Sequence, residues 1–143
     1  MVLMRLAASF LVQTACGSLS TNCLVQKEYM LKLRQEVKEE IEDIGKYLGI
    51  PYRYEAQLKL KNGKRKYPDF TLLKVKTREV IYHEHFGLLD NEEYRQASLN
   101  KLDEYSKNGI YLGKNLIITY EAEGHYLNIK EIKKMMKEIF LFV

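Results

Sequence analysis

Tyr67-Pro68-Asp69-Phe70-Thr71-Leu72-Leu73-Lys74-Val75, followed after Lys76-Thr77-Arg78-Glu79 by Val80-Ile81-Tyr82-His83-Glu84-His85-Phe86-Gly87, is the stretch on which the fold turns. Two runs rich in β-branched and aromatic residues flank a short polar segment, which is the pattern of a hairpin. With Thr77-Arg78 as a two-residue turn, Lys76 faces Glu79, Thr71 faces Glu84 and Asp69 faces Phe86. Side chains alternate across a strand, so Asp69, Thr71, Glu84 and Phe86 then share one face. Asp69 and Glu84 become diagonal neighbours with Cβ atoms about 5–8 Å apart. Two carboxylates that close can hold one hard divalent cation between them.

The periodicity on either side completes the architecture. Over residues 27–48, Val37, Ile41, Ile44 and Leu48 recur at helical spacing among charged residues, and Gly49 ends the pattern. Residues 52–60 alternate apolar and polar as a half-buried strand, and Asn62-Gly63 suits a type I′ turn into the strand carrying Asp69. The three strands then form an antiparallel meander. Residues 92–107 read as a helix, capped by Asp90 or Asn91 and closed by Asn108-Gly109. Leu116-Ile117-Ile118 marks a buried strand over residues 113–120. Ile129, Ile132, Met136, Ile139 and Phe140 form the apolar stripe of a last helix over residues 128–142. The order of helix, three strands, helix, strand and helix predicts an α/β (α+β) domain with helices on the faces of its sheet.

At 143 residues the chain has room for one domain with a core and is short for two. Its 46% hydrophobic and 29% charged content excludes wholesale disorder. The net charge of +4 permits a polyanionic partner without requiring one. Its distribution is more informative, because Lys59, Lys61, Lys64, Arg65, Lys66, Lys74, Lys76 and Arg78 crowd the strands that carry the carboxylates. That suits a phosphate backbone approaching a metal, and equally suits a hairpin edge guarded by lysine. Residues 1–26 form a separate segment, with residues 27–143 as the main domain. Its charged start, short apolar run and Gln13-Thr14-Ala15-Cys16 are signal-like, and a packing helix explains them equally well. The run is too short to span a bilayer. Cytoplasmic location is the expectation, with an envelope location left open. Cys16 and Cys23 make neither a disulfide framework nor a CxxC zinc pattern. His83 and His85 point the same way on a strand, but lie on the face opposite Glu84 and are expected to pack under a helix rather than bind zinc.

Pro68-Asp69 on the second strand and Glu84 on the third, in this order of elements, resemble the PD-(D/E)xK nuclease superfamily, which has the restriction endonuclease-like core. The segments Gly49-Ile50-Pro51-Tyr52-Arg53-Tyr54-Glu55, Tyr67-Pro68-Asp69-Phe70, Glu84-His85-Phe86-Gly87, Tyr94, Lys101 and Asn115-Leu116-Ile117-Ile118-Thr119 look more specifically like small bacterial nuclease-like domains. Some relatives of these are attached to DNA helicases. The resemblance implies that Asp69 binds metal and that Glu84 is the first acidic residue of the (D/E)xK element. Phe86 stands where the lysine of that element is usual. Related families supply the lysine from the following helix, where Lys101 shares a stripe with Tyr94, Ser98 and Tyr105. The superfamily often adds a glutamate from its first helix, for which Glu36 and Glu40 are the candidates.

The implied activity is hydrolysis of a nucleic-acid phosphodiester, with DNA the expected substrate. Mg²⁺ or Mn²⁺ would be held by Asp69, Glu84 and the backbone carbonyl of His85, with Lys101 orienting the attacking water or neutralising the phosphate. Lys64, Arg65 and Lys66 are the candidate nucleic-acid contacts. A homodimer or a helicase-type partner fits the same resemblance. The rival expectation is a catalytically inactive nucleic-acid-binding or scaffold domain that kept the fold, and Phe86 favours it.

Overall fold

The computed structural model describes residues 19–142, so the signal-like reading of the first 18 residues lies outside the described residues. The chain divides into two compact units at Glu36 and Val37. Helix α1, Leu19–Leu48, begins in the first unit and ends in the second. Gly49 stops it at a φ of 67°, a left-handed conformation that costs glycine little.

The second unit is mixed α/β. A four-stranded sheet has the order β1 (Tyr52–Tyr54), β4 (Phe70–Lys74), β5 (Glu79–Phe86), β6 (Leu116–Tyr120). The first three strands are antiparallel and β6 lies parallel to β5. Helix α2, Glu92–Lys107, forms the crossover between β5 and β6, and α3, Ile129–Phe140, follows β6. Val37, Ile41 and Ile44 of α1 and Ile132, Met136 and Phe140 of α3 bury one sheet face with Phe70, Leu72 and Ile81. On the other face Tyr105 of α2 packs with Leu116, Leu60 and Ile110, against Tyr82 and Ile118. Each such side chain contributes about 1.5–3 kcal/mol on burial, which is why the helical stripes and the strand alternation are legible in the sequence.

Three local expectations are corrected. The 52–60 strand breaks at Glu55, whose φ is 45°, and only residues 52–54 join the main sheet. Its remainder, β2 (Leu58–Lys59), pairs with β3 (Arg65–Lys66) as a separate two-stranded finger. The finger turns through three residues rather than two: Gly63 N–H donates to Leu60 O, Leu60 N–H to Lys64 O, and Gly63 takes the positive φ of 86°. That is the type I turn with a glycine bulge, not type I′. The β4–β5 loop likewise holds four residues, 75–78, with Lys74 opposite Glu79 and Phe70 opposite His83. The register therefore differs by two residues from a Thr77-Arg78 turn, and a shift of two leaves every side chain on the same face.

Candidate metal and phosphate site

The two-residue shift brings Asp69 closer to Glu84. The ladder ends with Phe70 opposite His83, and Asp69, just before β4, lies near enough to Glu84 for its charge to act on that carboxyl. Two backbone bonds fix the aspartate. Its carbonyl accepts from Glu55 N–H at 3.0 Å, continuing the β1–β4 ladder, and its Oδ2 accepts from His85 N–H at 2.7 Å.

Glu84 is buried, only 2% exposed, beneath α2. Asn91 caps that helix by accepting from Tyr94 N–H, and Asn108 with Gly109 closes it. Spacings of four, three and four residues turn the stripe of Tyr94, Ser98, Lys101 and Tyr105 onto the sheet. Lys101 Nζ lies 2.7 Å from Glu84 Oε1, and Tyr105 donates its hydroxyl to the same oxygen at 2.6 Å. Both contacts fall on Oε1 and neither on Oε2. Tyr94 stands at the end of β5, its hydroxyl accepting from Gly87 N–H at 3.3 Å. Ser98 is spent within the helix, donating to Tyr94 O.

Burial raises the Glu84 carboxyl above its ordinary range; Lys101 opposes that rise and the nearby Asp69 charge adds to it. Burial, followed by the Glu84 charge, also pushes the Tyr105 hydroxyl upward, so it remains a donor at neutral pH. The pair is an anionic pocket with one resident ammonium.

Asp69, Glu84, Lys101 and His85 are thus brought together. Glu40 sits half-buried on α1 beside Val37 and Ile41, and Glu36 is exposed in the first unit. No group of three or more His, Cys, Asp or Glu side chains that could hold a metal occurs among the described residues, so Glu40 does not join the carboxylate pair in one. Lys64 and Lys66 turn toward α2, where both grip Glu104, Lys64 at 2.7 Å. Those contacts hold the Glu104 carboxyl down at about 2. Arg65 is left facing outward with its cross-strand partner Lys59, both exposed. Phe86 is buried, 5% exposed, and adds no polar group.

His83 and His85 lie on the opposite sheet face, both against Thr119 Oγ1, at 2.9 and 2.8 Å. His83 also packs on Phe70, ring centroids 5.8 Å apart. Burial, then His85, lowers His83 to about 3, so it is neutral at pH 7. Sequence reasoning placed Tyr105 on the right stripe without giving it a role. Thr119 closes the matching segment 115–119 and carries no role in the sequence, because only the parallel pairing of β5 with β6 sets it beside His85.

No protein-family model matches the chain, and neither a curated protein nor a solved structure matches it. No helix of the described residues is long and apolar enough to cross a membrane.

Proposed function

We propose that the chain is a metal-dependent phosphodiester hydrolase acting on nucleic acid, with DNA the expected substrate and a restriction endonuclease-like core. The observation that carries this reading is the contact of Lys101 Nζ with Glu84 at 2.7 Å, on the face shared with Asp69. A lysine from the following helix thereby reaches the carboxylate pair that the strand lysine would otherwise serve.

The donor set suits Mg²⁺, or Mn²⁺. Such an ion keeps several waters and needs only one or two carboxylates besides the substrate's phosphate, and here two face each other. Asp69, Glu84 through Oε2 and the His85 carbonyl would hold it. When bound, the ion supplies Lewis-acid polarisation of the phosphoryl oxygen and a water of lowered pKa. The chain's own residues do the rest. Tyr105 and the His85 N–H fix the two carboxylates. Lys101 offers an ammonium to a water or to phosphoryl oxygens, and it can leave Glu84 once another cation neutralises that carboxylate. Arg65 and Lys59 face outward on the finger that precedes Asp69 and suit a phosphate backbone.

A second reading, an inactive nucleic-acid-binding or scaffold domain, is favoured by Phe86 and by the ion pair that already satisfies Glu84 Oε1. Purified protein incubated with plasmid and single-stranded DNA in Mg²⁺, Mn²⁺ or EDTA separates the two. Metal-dependent cleavage is expected, abolished by Asp69→Ala and Glu84→Ala and reduced at least about 10²-fold by Lys101→Ala, with circular dichroism unchanged. Cleavage that survives both carboxylate changes would refute the site, and binding without cleavage would favour the second reading.

A further inference from the structure

We infer that Thr119 is a positioning residue: its hydroxyl is the hinge of a one-way hydrogen-bond chain that locks His85, the residue whose N–H holds Asp69. A threonine hydroxyl has a single proton to donate, yet both His83 Nε2 and His85 Nδ1 lie within 2.9 Å of it. The hydroxyl can therefore donate to one ring nitrogen only, and at least one ring must donate to it.

Two features at the ends of the chain choose the direction. His83 Nδ1 is buried with no hydrogen-bond partner among the described residues. If that nitrogen carried the proton, a buried donor would go unpaired, at about 1–3 kcal/mol. At the other end His85 Nε2 faces the buried Glu121 Oε2 at 3.9 Å, longer than a hydrogen bond but close enough for the carboxylate to favour an N–H there over a lone pair. The first end puts His83 Nε2–H on Thr119; the second puts the His85 proton on Nε2, toward Glu121, so that His85 Nδ1 accepts from Thr119 O–H. Glu121 is itself fixed, accepting from Leu127 N–H at 2.9 Å. The His85 ring is therefore held at Nδ1 by Thr119, with Nε2 turned toward Glu121, on one sheet face while its main-chain N–H meets Asp69 Oδ2 at 2.7 Å on the other. Partners of this kind, one bond removed from a ligand, typically change metal affinity about 10–100-fold when lost; the metal part of the inference rests on the hydrolase reading.

The test compares Thr119→Val, which keeps the shape and removes the hydroxyl, with Thr119→Ser, which keeps the hydroxyl. Long-range ¹H–¹⁵N spectra of the full chain report the tautomers, and the His85 amide proton shift reports its bond to Asp69. The wild type and Thr119→Ser should show Nε2–H on both rings and a downfield His85 amide. In Thr119→Val that amide should move upfield, and Mn²⁺ affinity by calorimetry should fall about 10-fold. An Nδ1–H tautomer of His83 in the wild type, an unmoved His85 amide in Thr119→Val, or failure of Thr119→Ser to restore it would overturn the inference. A wild type that binds no Mn²⁺ would sink the metal reading instead, while the tautomers and the amide shift still decide the role of Thr119.

Discussion

Replacing Lys101 by methionine removes the cation facing Glu84 and keeps a long side chain over the sheet. Glu84 is 2% exposed, so it cannot turn to water and can escape only by taking up a proton. Protonation costs 1.36 kcal/mol for each pH unit above the ordinary carboxyl value of 4.5. At pH 7 that sets a ceiling of about 3 kcal/mol on the loss, and at pH 5 a ceiling under about 1 kcal/mol. Water reaches Lys101, whose side chain is 30% exposed, so screening brings the expected loss at pH 7 to about 1–2 kcal/mol. The sign follows from the raised carboxyl. Between 4.5 and its folded value, the folded chain binds more protons than the unfolded one, so stability falls as pH rises. The lysine change lifts the folded value further and steepens that fall. Urea unfolding followed by circular dichroism at pH 5 and pH 7 should show the variant losing more at pH 7. In a Glu84→Gln background, Lys101→Met should cost the same at both pH values. An equal loss at pH 5 and 7 in the Glu84 protein, or a pH-dependent loss that persists with glutamine, would refute the account of a buried carboxylate neutralised by Lys101.

Two further perturbations probe the frame around the site. Phe70 is 1% exposed and sits edge-on to Tyr52 and Tyr54, so Phe70→Ala should cost about 3–5 kcal/mol in urea unfolding; a loss under about 1 kcal/mol would mean that this core closes over the cavity. Glu104 is held at about 2 by Lys64 and Lys66, so its contribution is present above 4.5 and disappears as pH falls through about 2. The stability gap between wild type and Glu104→Gln should therefore narrow from pH 5 toward pH 2, and a gap constant over that range would exclude the clasp.

Much of the candidate site was legible because of a tolerance in β-structure. The turn around Thr77 was read two residues too short, yet side chains repeat with a period of two, so Asp69 and Glu84 stayed on one face. An error of one residue would have separated them. Helix α2 was equally readable, since Asn91, the Tyr94–Tyr105 stripe and Asn108-Gly109 are local signals acting within a few turns. The break at Glu55 was not readable, because a glutamate gives no hint of a positive φ.

The sequence by itself determined which faces the strands and helices bury, because hydrophobic spacing matches the period of each element and burial dominates the energetics. It also supplied the pair of acidic residues and the lysine on the next helix. Tertiary structure alone decided what those groups touch. The length of the 75–78 loop set Phe70 opposite His83 and so brought Asp69 near Glu84, and docking of α2 put Lys101 and Tyr105 on one oxygen of Glu84. Glu104 drew Lys64 and Lys66 into ion pairs with α2, and the parallel alignment of β6 delivered Thr119 to His85. Each of these is a contact between residues far apart along the chain, whose partners are chosen by register and packing rather than by any local pattern.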